Sequence, residues 1–322
     1  MKKELTYLET IKMISEIKKI FEGQLEKRLG LTKVGSPLFV KKSSGLQDDL
    51  SGKEEAVGFY KEEEKFEIVH SLAKWKREAL GKYEFPMHTG LYTDMKAIRK
   101  DEEVDAIHSL YVEQWDWEKV IDKSDRTVEY LKETVKSIYK SIRQTSIIMK
   151  QKYHFLTVDL PKTIYFITSQ ELEDLYPDKT PKIREQMITK EKKAVFIIGI
   201  GDKLKAGIAH DLRSPDYDDW SLDGDLMIWD KELDKAVELS SMGIRVDEKS
   251  LVTQLEKSDT LEKLSLPYHQ KIVKKQLPYT IGGGIGQSRI YMLLLQKKHI
   301  AEVQASSWDD KTEETLKQYQ YL

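Results

Sequence analysis

The chain has 322 residues, of which 39% are hydrophobic and 34% are charged, and its net charge of −2 excludes the global basic field of a nucleic-acid-binding protein. It has no cysteine, which excludes disulfides, cysteine nucleophiles and cysteine–zinc sites and agrees with a reducing cytoplasm. We find no signal core, no apolar run near the ~20 residues that cross a bilayer, and no repeat or linker, so we predict one domain over residues 1–322 with no membrane partner.

The first element is a predicted long helix. Apolar residues recur at helical spacing over residues 7–29, and Gly30 suits the end of the helix. An extended piece with one proline follows at residues 31–40. Next comes the polar loop GLQDDLSG at residues 45–52, which contains Asp48; acidic loops of this kind are usually solvated turns.

A strand at residues 66–69 leads into a predicted short helix at residues 70–80. Ser71 is a plausible N-cap of this helix, and Gly81 is a plausible end. The helix carries three cations, Lys74, Lys76 and Arg77. A solvated basic face is the ordinary interpretation of such a run, and we expect it to hold for two of the three.

A second charged region follows in residues 90–118. Arg99 precedes an acidic turn, and the segment after it is a predicted strand on which Gln114 and Asp116 share one face. On that face Asp116 can reach an ammonium and Gln114 a carboxylate of one small substrate. The alternative is an exposed polar face between two packed tryptophans.

Packing elements and then an acidic loop come next. We predict a helix over residues 127–149, for packing only, and buried strands at 163–168 and 194–201. Residues 213–225 hold five carboxylates in thirteen positions. Such a loop is either solvated or held around cations, and hard oxygen ligands suit Mg²⁺.

The segment at residues 236–246 is a strand by composition. Its polar residues fall on two faces, with Glu238 and Ser240 on one and Ser241 and Arg245 on the other. A flat strand cannot turn all four into one pocket, so we expect a bulge at residues 241–243.

The most distinctive string is GGGIGQSR, which ends at Arg289 and precedes an apolar run at residues 290–295. Glycines permit close backbone approach to a ligand, and a helix N-terminus with an arginine suits an anion or a flat ring. The alternative is a tight turn before a core helix. The string is neither a Walker loop nor a dinucleotide fingerprint, because residues 276–280 are a poor buried strand.

These strings carry a resemblance. GGGIGQSR resembles the third signature of class II aminoacyl-tRNA synthetase folds, the region of Arg99 resembles the second, and the first helix with its proline strand resembles the first. Nearly the whole chain closely resembles ammonia-dependent asparagine synthetase. The further strings that carry this resemblance are QDDLSG, HSLAKWKR, YVEQWDWE, SPDYDDW and ELSSMGIRVD. The loop between Trp220 and Gly224 is shorter here than in that family. The resemblance implies an α+β fold, a mainly antiparallel sheet flanked by helices, and a homodimer.

The resemblance also implies a reaction, in which L-aspartate, ATP and ammonia give L-asparagine, AMP and diphosphate. It implies catalytic roles for Asp48, Lys76 and Arg99. It implies that the substrates contact Asp48, Ser71, Lys76, Arg99, Gln114, Asp116 and Ser241. It implies nucleotide contacts from Arg99, Asp218, Asp225, Glu238, Ser240, Arg245 and Arg289, with Asp225 and Glu238 as Mg²⁺ ligands.

Two other classes of function stay open at this point. An aspartyl- or asparaginyl-tRNA synthetase is disfavoured by the slightly acidic charge and by the lack of a predicted anticodon-binding barrel before the first helix. A non-catalytic sensor is disfavoured by the intact acids and arginines. Because common glutamine amidotransferases use a cysteine nucleophile, we expect ammonia and not glutamine as the nitrogen source.

Overall fold

The computed structural model describes residues 5–50, 52 and 54–322, so Ser51 of the acidic loop lies outside the described residues. The helices of this part are α1 (Tyr7–Leu29), α2 (Ala73–Lys82), α3 (Val128–Lys152), α4 (Ser169–Leu175), α5 (Pro181–Lys192), α6 (Ser250–Lys257), α7 (Pro267–Val273), α8 (Gln287–Leu295) and α9 (Asp310–Leu316). The strands are β1 (Leu31–Lys33), β2 (Phe39–Lys41), β3 (Gly58–Lys61), β4 (Glu64–Ile68), β5 (Gly90–Ile98), β6 (Tyr111–Val120), β7 (Tyr165–Thr168), β8 (Ala194–Ile198), β9 (Asp218–Asp230), β10 (Lys235–Arg245) and β11 (Thr280–Gly286).

Eight of the described strands form one sheet in the order β1-β5-β6-β11-β10-β9-β8-β7. The outer pairs β1–β5 and β7–β8 are parallel, and the pairs between them are antiparallel. This confirms the prediction of an α+β fold with a mainly antiparallel sheet. A small antiparallel sheet, β2-β4-β3, stands apart from it. None of the helices in the described ranges is long and apolar enough to cross a membrane.

The main core lies where α1, α3 and α8 cover the large sheet. α1 begins at a capping box between Thr6 and Glu9 and ends at Gly30, whose φ of 70° is left-handed, as predicted. The later apolar residues of α1 are buried, but its first two turns expose Leu8 and Ile11. The apolar face predicted for this helix is therefore only partly buried.

Three local predictions are wrong. α2 begins at Ala73 with Leu72, not Ser71, at the N-cap, although the Ser71 hydroxyl accepts from the Ala73 N–H at 3.4 Å, and the helix continues through Gly81. The glycines of GGGIGQSR form β11 and are not a loop. The string DDWSLDGD, expected in a loop, begins β9, whose residues 219–222 bulge opposite Ile244.

Candidate active site

A cavity of about 290 Å³ opens over the middle strands of the large sheet. Strands β6, β10 and β11 form its floor, and α2, the loop of Asp48 and the segment before β9 form its walls. The structure brings together twelve of the predicted residues around it: Asp48, Ser71, Lys76, Arg99, Gln114, Asp116, Asp218, Glu238, Ser240, Ser241, Arg245 and Arg289. Asp225 is the exception, and it lies behind Arg213, with which it forms an ion pair.

Lys76 is the buried cation at the centre of this floor. Its ammonium pairs with Asp116 and donates to the carbonyls of Trp117 at 2.9 Å and Gly283 at 3.2 Å. Burial lowers the pKa of Lys76, although the charge of Asp116 opposes that shift. Asp116 also accepts from the Leu72 N–H, so both of its oxygens are already bonded within the protein.

The prediction of a solvated basic face on α2 is wrong. Lys74 and Arg77 are as buried as Lys76. Lys74 and His269 both contact Asp216, and Arg77 donates to the carbonyl of Val246 at 2.7 Å. These contacts join α2 to segments far along the chain.

Glu118 continues the face of Gln114 and Asp116 and was missed by the sequence analysis, although its period-two spacing marks it. It accepts from Arg245 at 2.7 Å and from the Thr280 hydroxyl at 2.6 Å. Arg245 also pairs with Asp218. Although burial opposes it, these two carboxylates raise the pKa of Arg245, so its charge is fixed in the site.

The glycines of β11 make room for these side chains. A Cβ at Gly282 would overlap the Glu118 carboxylate and the Arg245 guanidinium. A Cβ at Gly284 would overlap the Gln114 amide. Glycine is therefore required at these positions because other groups approach the backbone closely, as the string suggested. Those groups are side chains of the protein and not a ligand.

The bulge within β10 lies at Leu239, just before the predicted region near residues 241–243, and a second irregularity borders that region where β9 bulges opposite Ile244. Glu238 pairs with Met227 and Ser240 with the next residue of β9, Leu226, which leaves Leu239 extra. This shift of register allows Glu238, Ser241 and Arg245 to line one cavity, while the Ser240 hydroxyl donates to the Gly284 carbonyl at 2.8 Å.

Asp48 is nearly fully buried, not solvated. Its Oδ2 accepts from the Ser71 hydroxyl at 2.6 Å, and its Oδ1 accepts from the Leu50 N–H at 2.8 Å. Gln47 fixes this loop, because its Oε1 accepts from the backbone N–H groups of Asp48 and His70, each at 3.0 Å. Asp48 is therefore an acceptor presented on a fixed backbone.

Four arginines line the cavity: Arg245, described above, and three more at separate points. Arg99 follows β5 and donates to the His70 carbonyl at 3.3 Å, while Arg289, on α8, donates to the Glu238 carbonyl at 2.8 Å. Arg213 was missed, although it opens the acidic string. Within the described residues, the buried Nε atoms of Arg99 and Arg213 have no hydrogen-bond partner, although that of Arg213 lies 3.8 Å from Asp223 Oδ2 in an ion pair.

The five acids of residues 213–225 are neither solvated nor grouped around one cation. All five are buried. Each of them forms an ion pair with a protein side chain, Asp216 with Lys74, Asp218 with Arg245, Asp219 with Arg126, and both Asp223 and Asp225 with Arg213. Asp223 accepts from the Ile200 N–H at 2.8 Å. The cluster is thus a set of internal ion pairs that shape one wall of the cavity.

Comparison with known proteins decides the family. The sequence model described as "Aspartate-ammonia ligase" matches residues 8–320. The chain belongs to the aspartate–ammonia ligase family. It is 59% identical over 309 residues to the aspartate–ammonia ligase of Clostridium perfringens (strain 13 / Type A), with 95% of this chain and 92% of that protein covered. The corresponding protein of Lactobacillus johnsonii is 52% identical over 317 residues, with 97% and 94% covered.

Solved structures agree at the level of fold. An asparaginyl-tRNA synthetase of Entamoeba histolytica in complex with asparaginyl-adenylate superposes with a TM-score of 0.66 at 15% identity, over 92% of this chain and 66% of that chain. The Pyrococcus horikoshii asparaginyl-tRNA synthetase gives the same TM-score at 13% identity. This member of the aspartate–ammonia ligase family therefore has the class II aminoacyl-tRNA synthetase fold that the signatures predicted.

Proposed function

We propose that this chain makes L-asparagine from L-aspartate, ammonia and ATP through a β-aspartyl-adenylate, with release of AMP and diphosphate. The observation that carries the proposal is that one cavity joins a buried lysine–carboxylate pair, four arginines and a buried acceptor, Asp48. Membership of the aspartate–ammonia ligase family agrees with it. The named residue roles remain predictions.

The arginines suit the first half-reaction. A carboxylate resists attack because its charge is delocalised and repels nucleophiles, and adenylation converts one oxygen into a good leaving group. Arg99, Arg213 and Arg289 each present a guanidinium at the cavity wall. Fixed cations of this kind stabilise charge that develops on phosphate oxygens as diphosphate departs.

We propose Asp225 and Glu238 as the ligands of the Mg²⁺ that accompanies ATP, although Asp225 pairs with Arg213 in this structure and does not itself line the cavity. Burial raises the pKa of Asp225 to about 7; Arg213 opposes this shift and the charge of Glu238 adds to it. Within the described residues no group of three or more His, Asp or Glu side chains could hold a metal. Two carboxylates completed by phosphate oxygens and water are the usual Mg²⁺ arrangement, and the ion would offset phosphate charge.

We assign the second half-reaction to Asp48. Its partners are a hydroxyl and a backbone N–H, both neutral, so its charge is not neutralised by a bonded cation. Near neutral pH most ammonia is ammonium, which must lose one proton to solvent before its nitrogen can attack. A buried carboxylate can then bind the neutral ammonia and accept the proton released as the C–N bond forms. The amide then forms as AMP leaves.

We also propose a homodimer, in agreement with the first class II signature. The first turns of α1 expose Tyr7, Leu8 and Ile11 to 51%, 58% and 49%. Burial of such a patch stabilises association. Light scattering of the purified protein should give a mass near twice the 37.5 kDa of one chain; a monomer at micromolar concentration would contradict this. A cytoplasmic location stays a prediction.

The proposal is tested with purified protein, L-aspartate, Mg-ATP and ammonium chloride. We expect asparagine, AMP and diphosphate in equal amounts. Glutamine in place of ammonium should give no asparagine in preparations free of glutaminase, because the chain has no cysteine nucleophile. Binding of ATP and aspartate without product would indicate a non-catalytic sensor instead.

A further inference from the structure

Tyr217 lies in the wall of the cavity between groups assigned to the two half-reactions. Its half-buried side chain lines the cavity with Asp48 and Asp218, and the Arg245 guanidinium lies 5.6 Å from the centre of its ring. In the part of the chain that the structure describes, no hydrogen-bond partner of its hydroxyl is found. A polar atom at the cavity surface is therefore free to bond a ligand.

The backbone that carries Tyr217 is held on every side. The Tyr217 carbonyl accepts from the Val246 N–H at 2.8 Å, and the Gln254 amide donates to the carbonyls of Pro215 at 2.9 Å and Asp218 at 2.8 Å. On one side Asp216 is bound by Lys74 and His269, and on the other Asp218 is bound by Arg245. Such restraint is more than a loop needs for packing, and it presents the phenol at a defined point.

We propose that the Tyr217 hydroxyl completes the ammonia site with Asp48 and Ser71, an inference that rests on the proposed function. Ammonia must turn its lone pair toward the β-acyl carbon, so its three N–H groups need acceptors on the other side. The Asp48 carboxylate, the Ser71 hydroxyl and the Tyr217 hydroxyl supply three oxygens in residues that line the same cavity.

The step balances with these groups alone. The nitrogen lone pair forms the C–N bond, and the C–O bond to phosphate breaks, so that AMP leaves with the electron pair. One N–H proton passes to Asp48, and the remaining two stay in the amide. Tyr217 neither gains nor loses a proton: burial, and then the charges of Asp48 and Asp218, raise the pKa of its phenol, which remains protonated.

Tyr217→Phe tests the assignment, because it removes only the hydroxyl. The KM for ammonium should rise about three- to tenfold, the loss of one hydrogen bond, while aspartate-dependent exchange of diphosphate into ATP should change by less than about twofold. The matched control is Tyr279→Phe, which removes a hydroxyl that bonds Glu248 outside the cavity, 3.2 Å away. It should leave both readouts unchanged.

An unchanged KM for ammonium in Tyr217→Phe, or an equal fall in exchange and synthesis, would overturn the inference. A second measurement uses the unsubstituted protein with methylamine, which replaces one N–H by a methyl group. Asparagine formation should exceed N-methylasparagine formation at least about tenfold at equal free-base concentration, and equal rates would overturn the three-oxygen site. A lack of exchange in the unsubstituted protein would reject the proposed function itself, and this inference with it.

Discussion

The hydrogen-bond partners of Asp48 distinguish it from the acid next to it in the chain. The residue next to it, Asp49, bonds Lys263 at 2.7 Å, whereas the partners of Asp48 are the neutral Ser71 hydroxyl and Leu50 N–H. Of these two adjacent acids, only Asp49 has a bonded cation among the described residues, so the charge of Asp48 is left for a ligand in the cavity.

We predict that Asp48→Asn separates the two half-reactions. The amide keeps the size of the side chain but removes the charge. Aspartate-dependent diphosphate exchange should persist, while asparagine synthesis should fall by about 10²–10⁴-fold, the usual contribution of a general base. Asp49→Asn is the matched control and should lower neither rate. If exchange and synthesis fall together in Asp48→Asn, the carboxylate holds the aspartate substrate or the loop.

Arg99 and Arg289 carry a second prediction. Each has only backbone carbonyls as hydrogen-bond acceptors in the described residues. Arg99→Ala and Arg289→Ala should therefore lower kcat/KM for ATP by at least about tenfold, the value of one charge-assisted bond. Arg28→Ala, on the exposed end of α1, should not. An unchanged kcat/KM in both cavity variants would contradict their placement, and insolubility would indicate a structural role.

At the scale of elements, β11 is shaped to receive β6 and β10. Gly282→Ala should push the Glu118 carboxylate and the Arg245 guanidinium from their places, lower the free energy of unfolding by at least about 1–3 kcal/mol, and reduce exchange. Gly23→Ala, exposed on α1 with open space around it, should instead stabilise by about 0.5–1 kcal/mol. Chemical denaturation measures both changes. An unchanged free energy of unfolding in Gly282→Ala would show that β11 can accommodate a Cβ at this position.

Asp216 joins three elements, since Lys74 lies on α2, His269 on α7, and Asp216 itself just before β9. Against the effect of burial, Lys74 and His269 hold the pKa of Asp216 well below its usual range. A carboxylate with a lowered folded-state pKa contributes stability that is full above its unfolded pKa and is lost as the pH falls through the folded value.

Asp216→Asn should consequently lower the free energy of unfolding by about 3–5 kcal/mol at pH 7, because it breaks a buried ion pair. The difference from the unsubstituted protein should shrink below about pH 4, near the ordinary aspartate pKa. Urea denaturation at several pH values measures this, with the exposed Asp101→Asn as a control that should be nearly neutral. A difference that stays constant down to pH 3 would show that packing, and not charge, is lost.

For the whole molecule, the motif strings predicted the fold, and twelve of the thirteen site residues that they predicted line the cavity. They succeeded because the residues that line the cavity are concentrated in a few short segments. Local errors came from patterns whose partners are remote: the acids of β9 resemble a solvated loop until Arg245 and Arg126 are brought to them by the fold. For the same reason the three cations of α2 resemble a solvent-exposed face of the helix.

The site residues that the sequence analysis missed are Glu118, Arg213 and Tyr217. Glu118 could have been found, because it extends the alternation of Gln114 and Asp116 by one more step. Arg213 and Tyr217 stand inside a string that was interpreted only through its acids. Their place in the cavity depends on the contacts of Gln254 and Val246 with that segment, more than twenty-five residues away, and no local pattern encodes these contacts.

The central claim is that this cavity activates the β-carboxylate of aspartate as an adenylate and passes it to ammonia. The most direct measurement uses aspartate labelled with ¹⁸O in the β-carboxylate, with Mg-ATP and ammonium, and mass spectrometry of the products. One labelled oxygen should appear in the phosphate of AMP, the other should remain in the amide of asparagine, and diphosphate should carry none. Unlabelled AMP, or label in diphosphate, would contradict the account.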